Sequence, residues 1–452
     1  MATAVVVGAG IGGLSAAIGL RRRGWDVTVL ERAPRIEAVG AGLTLLANGL
    51  RALDALGVGA AVRAEGQVEA AGGLRTPDGT WLSRIDSAAL TRALGTSALG
   101  IHRATLHRVL ADALPPGTLV LGAEVSEVVA GAGQPVHGRE VIGGAGRPVH
   151  GGDAAGGVPA GGGGGRPFHG GEAAGGAGRP VSGGEAVGGV PAGGGGRPVG
   201  GGEVVGGARP RVDGREVDLV VAADGINSAV RRRLWPDLPA PAYAGSTAWR
   251  GVTTEAWTGA PLVGITWGEG AEFGMVPLGD GRAYWFGAVT SPPGAWHDDE
   301  LAAVRARFGH WHDPIPALMA ASDTVLRDDI YQLATPLPSY VDGGVVLLGD
   351  AAHAMTPNLG QGANQALEDA VVLASVCDPA GELGPALAAY DAQRRPRSQA
   401  VARAAYQAGR FGQQLRNPVA VTLRNTLIRL TPPRAGLRSM LRYVDWTPPE
   451  LP

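Results

Sequence analysis

The chain has 452 residues, 45% of them hydrophobic, and a formal net charge of −2 at pH 7. That balance supports a real core in two or three domains and gives no global field to draw nucleic acid or anionic membrane. All 39 basic residues are arginine, which excludes a lysine Schiff base, and the single cysteine, Cys377, excludes a disulfide framework, a CxxC pair and a cysteine zinc site, so a reducing, cytoplasmic compartment is the default.

The apolar first 20 residues do not read as a signal peptide. No basic segment precedes them, glycines 8, 10, 12 and 13 break them, and Arg21 to Arg23 follow them. No uninterrupted apolar run is long enough to span a bilayer, so no stable membrane insertion is expected. TAVVVGAGIGGLSAAIGLRRRG reads instead as strand, glycine turn, helix. Gly8, Gly10 and Gly13 form GxGxxG: the first permits the tight turn, the second admits a pyrophosphate, and the third lets helix and strand pack closely. The helix N-terminus then offers free N–H groups and a partial positive charge to phosphates. A second strand, DVTVLER, ends at Glu31, whose carboxylate suits the hydroxyls of an adenosine ribose and repels a 2′-phosphate. The motif by itself does not separate FAD from NAD.

Residues 131–210 differ from the rest. QPVHGRE, RPVHGGD, RPFHGGE, RPVSGGE and RPVGGGE recur between glycine runs, and Phe168 is the one aromatic residue. Such a composition cannot offset its ordering entropy, and disorder is expected. TLVLGAEVSEVV before it and RVDGREVDLVVAADG after it read as strands, so the segment reads as an expanded hairpin loop. His137, His150 and His169 invite a metal reading, but the same slot becomes Ser182 and Gly200 in later copies, and no metal is expected.

STAWRGVT, LVGITWG, EFGMVPLG and RAYWFGAV read as short strands. Trp249, Trp257, Trp267, Phe273, Tyr284, Trp285 and Phe286 cluster there, as sheet core or as one wall of an apolar pocket. VVLLGD then reads as a buried parallel strand ending in Asp350, and GANQALEDAVVLASV has helical spacing. Between them PNLGQG lets backbone approach a ligand closely, and a helix starting near Gly362 would aim its N–H groups at an electron-rich ring such as flavin. From about residue 380 the chain reads as helical, with Arg394, Arg395, Arg403, Arg410, Arg424, Arg429, Arg438 and Arg442 on a solvated face, a membrane-surface helix being the less favoured alternative.

VVGAGIGGLSAA, LER, DLVVAADGINSAVR and GDAAHAMTPNLGQGANQALEDA, in this order, resemble the single-component FAD-dependent monooxygenases of the aromatic-hydroxylase type. The resemblance covers nearly the whole chain except 131–210. It implies an α/β fold: a Rossmann-like FAD-binding domain from 1–75, 98–130, 211–235 and 340–380, and an inserted, mostly antiparallel substrate-binding sheet domain from 76–97 and 236–339. A helical region at 381–452 completes it. It implies that Gly8, Gly10, Ile11, Gly12, Gly13, Glu31 and Arg32 hold the ADP half of FAD, that Arg103 braces the cofactor, and that Val125 lies on a strand whose backbone meets the adenine. Asp224 and Gly225 match a DG motif linked to FAD and nicotinamide binding. Asp350, Pro357, Gly360, Gln361, Gly362, Ala363 and Asn364 would contact the ribityl chain and ring. Arg250 matches a position near the substrate, where pairing with a substrate anion and a structural ion pair are equal alternatives. His353 would transfer a proton or, preferentially, hold its turn.

The resemblance also implies the reaction: NADH or NADPH reduces FAD, and O2 is activated as a flavin C4a-hydroperoxide that hydroxylates an aromatic or other electron-rich small molecule. Relatives act on phenols, aryl acids, N-heterocycles, polyketide aromatics and some alkenes, and the motifs do not choose among them, nor between monomer and homodimer. A flavin halogenase is disfavoured because those enzymes rely on a lysine. An alkene epoxidase and a glycine-rich interaction scaffold on a flavin-binding domain stay as alternatives.

Overall fold

A computed structural model describes residues 1–36, 41–69, 72–85, 87–131, 208–262 and 264–451. The repeat copies, with His137, His150 and His169, lie outside the described residues. The fold is mixed α/β. Five short runs of β-branched and aliphatic residues form the parallel part of a six-stranded sheet. Its order is Val341–Asp342, Val345–Leu347, Leu219–Ala222, Thr3–Val7, Asp26–Glu31, Leu119–Leu121, with only the first pair antiparallel. Val6, Val29, Val221 and Val346 are fully or almost fully buried, as strands covered on both faces require. The register sets Val7 beside Ala222, and Ala222 beside Leu347, so three strands end at one edge. Ligands of open parallel sheets bind beyond such an edge.

Two helices meet there. Helix Ile11–Arg22 and helix Gly362–Val376 pack through small residues: a Cβ on Gly19 would stand 2.8 Å from the Ala374 Cβ, and one on Gly12 3.2 Å from the Ala366 Cβ. Their close approach brings the amino-terminal glycine turn and the PNLGQG turn together.

Some expected boundaries shift. The VVLLGD strand stops at Leu347, and Asp350 opens the short helix Asp350–His353, because Gly349 turns the chain with φ 62°. TLVLGAEVSEVV divides into Leu119–Leu121 and Val128–Val129, and Val125 falls between them, in no strand. Val128–Val129 pairs antiparallel with Arg211–Val212 across the repeat segment.

The second sheet has seven strands in the order Val325–Gln332, Ala242–Val252, Ala283–Thr290, Ala271–Pro277, Ile265–Trp267, Gly73–Arg75, Trp81–Arg84. It takes in Gly73–Arg75, ahead of the expected boundary at 76, whereas Ser87–Leu94 is helical. One face buries Trp249, Phe273, Met275 and Trp285 against helices Glu300–Phe308 and Ile315–Ala320. Most of the aromatic cluster is therefore core. The other face carries Arg250, Phe286, Gly274 and Glu272, brought into line by strand register.

Helices Leu383–Phe411, Pro418–Leu430 and Pro433–Val444 end the chain. Their arginines do not share one solvated face: Arg394 and Arg424 are buried. Each found a polar partner that spacing alone does not reveal. Among the described residues no helix is long and apolar enough to cross a membrane.

Candidate active site

The amino-terminal turn is fixed by backbone contacts. Gly8 adopts φ 99°, and a Cβ there would stand 2.5 Å from the Ala223 carbonyl oxygen. A Cβ on Gly13 would stand 2.0 Å from the Gly8 carbonyl oxygen, which is the close helix–strand packing the motif demands. Gly10 is different: no heavy atom lies within 4 Å of where its Cβ would be. It precedes helix Ile11–Arg22, which starts with no side-chain cap, so its first N–H groups are available to an anion. Glu31 closes the turn. Its Oε2 accepts from Ala9 N–H at 2.8 Å and its Oε1 from Ala33 N–H at 2.9 Å. Ile11 is buried, and Gly12 faces Leu348 and Ala366, so both shape the helix contact rather than line a ligand surface. Arg32 is exposed.

Arg103 is exposed at the start of helix Arg103–Asp112, which His102 caps by accepting from Ala104 N–H. In the next turn His107 Nε2–H donates to the Ala9 carbonyl. Burial lowers the His107 pKa, and the nearby Arg103 lowers it further, so a neutral ring bridges this helix to the glycine turn. Nothing in the local sequence singled out His107.

Asp224 follows the strand Leu219–Ala222. Its Oδ2 accepts from Ala229 N–H at 2.8 Å, while its Oδ1 is buried without a hydrogen-bond partner among the described residues. Gly225, with φ 79°, has open space beside it. Buried Arg231 ties this loop to the next: Nη1 donates to the Ala351 carbonyl at 3.0 Å and Nη2 to the Ile226 carbonyl. Asp350 is exposed at the sheet edge.

The PNLGQG turn rests on a buried polar lattice. Asn364 Oδ1 accepts from Leu46 N–H at 3.0 Å, and its Nδ2 donates to the Gly360 carbonyl at 2.7 Å. Gln361 Oε1 accepts from Asn48 Nδ2 and Gln365 Nε2, each at 2.9 Å. The side chains of Gln361 and Asn364 thus face protein, leaving backbone to face a ligand. Gly360, with φ 62°, and Gly362 have open space around them, and helix Gly362–Val376 also starts without a side-chain cap. Ala363 lies in its first turn and Pro357 opens the short 3₁₀ turn Pro357–Leu359.

Deeper in that helix, Glu368 and Asp369 are fully buried, and arginines of helix Leu383–Phe411 meet them. Arg394 Nε donates to Asp369 Oδ1 at 2.7 Å and Arg397 Nε to Glu368 Oε2 at 2.6 Å. Asp369 Oδ2 accepts from Gly349 N–H and from His353 Nε2. His353 is thereby buried, with its ring tied to the turn that carries Asp350. The acid pair in ALED, on an otherwise largely apolar helix, together with the RRPR cluster, was the available signal.

Across the site, Arg250 Nη1 pairs with Asp328 Oδ2 at 2.5 Å. Glu272 is buried: Trp267 Nε1 donates to its Oε2 at 3.0 Å and Asn358 Nδ2 to its Oε1 at 3.4 Å. Burial pushes its pKa up to about 7, against the Trp267 hydrogen bond that lowers it. Tyr284, two residues from Phe286 on the same face, abuts Gly42, where a Cβ would stand 2.5 Å from the ring. Among the described residues no group of three or more His, Cys, Asp or Glu could hold a metal.

Two uncapped helix starts beside open glycines, a ribose-type acid and an unpartnered buried Asp224 oxygen fit an extended dinucleotide. Comparison with known proteins agrees. A family model described as an FAD binding domain matches residues 1–118 and 204–405. The chain is 34% identical to an aurachin C monooxygenase/isomerase of Stigmatella aurantiaca, over 95% of this chain and 94% of that one. It is 30% identical to a 2-heptyl-3-hydroxy-4(1H)-quinolone synthase of Pseudomonas aeruginosa, again over 95% and 94%. The solved structure of a point variant of Klebsiella pneumoniae HpxO complexed with FAD superposes with a TM-score of 0.75 at 25% identity, covering 99% of this chain and all of the other. The chain belongs to the FAD-dependent monooxygenases of the aromatic-hydroxylase type.

Proposed function

We propose that this monooxygenase hydroxylates a neutral nitrogen-heterocyclic aromatic of the quinolone type, using NADH or NADPH and O2. One observation carries the reading: the polar groups on the sheet face that meets the Pro357–Leu359 turn. Arg250 is already neutralised by Asp328, and Glu272 is a buried carboxyl beside Asn358. An aryl carboxylate placed there meets a second carboxyl and an arginine that already has its counter-ion. A ring N–H finds an acceptor in Glu272, and a ring carbonyl finds a donor in Asn358. The quinolone synthase among the relatives matches over nearly the full length and supports the same class.

The chain's own residues divide the work. Gly8, Gly10 and Gly13 with Glu31 hold the adenosine diphosphate, Asp224 and Asp350 take ribityl or phosphate-side groups, and the Gly360–Asn364 backbone holds the ring. When bound, FAD supplies hydride acceptance and oxygen activation. Phe286, Tyr284 and Gly274 keep water from the reacting ring, and Glu272 orients the substrate by its N–H. The buried free Cys377 fits a reducing, cytoplasmic compartment.

The test is NADH and NADPH consumption with O2 uptake, comparing 4(1H)-quinolones with aryl carboxylates. Stimulation by quinolones with gain of one oxygen atom in the product is expected. Stimulation by aryl carboxylates alone overturns the substrate class.

A further inference from the structure

Helix Pro418–Leu430 turns four large apolar side chains outward. Val419, Leu423, Leu427 and Leu430 are 78%, 59%, 50% and 74% exposed. Spacings of four, four and three place them along one helix face. The opposite side is anchored: Val421 and Arg424 are buried, Arg424 Nη1 donates to the Gly412 carbonyl at 2.7 Å, and its guanidinium lies 5.4 Å from the centre of the Trp267 ring. Turning the helix to hide the leucines would unseat that guanidinium. The start is fixed as well, because Asn417 Oδ1 accepts from Ala420 N–H at 3.1 Å.

Along the chain, the charge flanking this helix is of one sign. Between Asp391 and Asp445 the sequence holds eleven arginines and no aspartate or glutamate, although the chain as a whole carries −2. Arg410, Arg416, Arg429, Arg438 and Arg442 are exposed. The acids that balance them lie elsewhere in the chain, so the basic region is local and invisible in the net charge.

We propose that helix Pro418–Leu430 lies on an anionic membrane surface. Val419, Leu423, Leu427 and Leu430 enter the acyl boundary and the exposed arginines sit at the headgroups, as interfacial helices do. Charge decides against a second copy of the chain as the occupant. A symmetric contact through this face brings arginine against arginine with no carboxylate in the segment to pair them. The attachment is peripheral and goes beyond the substrate assignment, which it does not need.

The experiment is co-sedimentation of the full FAD-loaded chain with vesicles of phosphatidylglycerol and phosphatidylcholine, and with vesicles of phosphatidylcholine alone. Binding to the anionic vesicles is expected, weakened by salt, and at least tenfold weaker for phosphatidylcholine. The double variant Leu423→Glu, Leu427→Glu loses that binding at least tenfold, with flavin content and NAD(P)H oxidation unchanged. Absent binding to anionic vesicles overturns the proposal, as does equal binding of the variant. So does loss of binding on deleting residues 132–207 alone. A dimer that the double variant dissociates, seen by light scattering without vesicle binding, assigns the face to a second copy instead and also overturns it.

Discussion

Asp369 Oδ2 lies 2.5 Å from His353 Nε2, and the same oxygen accepts the Gly349 N–H at 2.9 Å. One carboxylate thus holds both ends of the turn that presents Asp350. Burial alone would raise the Asp369 pKa, but His353 and Arg394 hold it well below the usual carboxylate range. A folded pKa depressed in this way contributes stability above the unfolded value of about 3.9, and the contribution is lost as pH falls below it. Asp369→Asn leaves Arg394 facing Glu368 with one partner fewer and removes an acceptor. A cost of roughly 3–5 kcal/mol in stability is expected, since a buried pair is broken. Thermal midpoint and flavin-to-protein absorbance ratio measure it. An unchanged midpoint with full flavin content would count against this holding role.

The two glycines of the first turn give opposite signatures when changed to alanine. Gly13→Ala forces a Cβ against the Gly8 carbonyl oxygen, a backbone atom that cannot move aside. The fold itself weakens, by about 1–3 kcal/mol or more, as overpacking does. Gly10→Ala meets no protein atom. With the diphosphate held at this turn as proposed, its methyl takes the diphosphate's space, so the apoprotein keeps its thermal midpoint while FAD affinity falls. Equal loss of midpoint in both apoproteins would remove Gly10 from the cofactor's path.

The glycine spacing made the parallel-sheet edge legible, because GxGxxG after an apolar strand has few structural alternatives. The same holds for the helix from Gly362 and for Glu31 ending its strand. What stayed hidden is long-range pairing. Asn48 meets Gln361 and Glu368 across more than three hundred residues, and Arg394 meets Asp369 from the next helix. A buried arginine and a solvated one share the same helical spacing, so Arg394 and Arg424 looked like surface residues. Val125 read as strand within TLVLGAEVSEVV, but the ladder it needs starts only at Val128.

Residues 132–207 join two points that are already close. A Cβ on Gly131 would stand 2.3 Å from the Ala208 carbonyl oxygen, and Val129 pairs with Arg211. A short turn can replace the segment without moving either strand. Loop closure over about four doublings of length costs about 2.5 kcal/mol, so the deletion is expected to raise the thermal midpoint. Substrate-stimulated NAD(P)H oxidation is expected to persist. Its loss, with flavin still bound, would favour a functional role for the repeat.

Glu272 offers a signal on the pH axis. Its folded pKa, raised by burial to about 7, lies above the unfolded carboxylate value of about 4.3. The native state therefore binds the extra proton between those two values. Stability from this group is present below about pH 4.3 and is lost as pH rises through 7, by up to about 3 kcal/mol. Glu272→Gln keeps one oxygen to accept from Trp267 and cannot ionise. Between pH 5 and 8 the variant's stability changes less with pH than the parent's, and the variant is the more stable above pH 7. With a quinolone substrate, the parent's kcat/KM follows an ionisation near neutrality, and the variant's profile flattens. If stability flattens but the kcat/KM profile does not, Glu272 is a buried structural acid and the substrate N–H is met elsewhere.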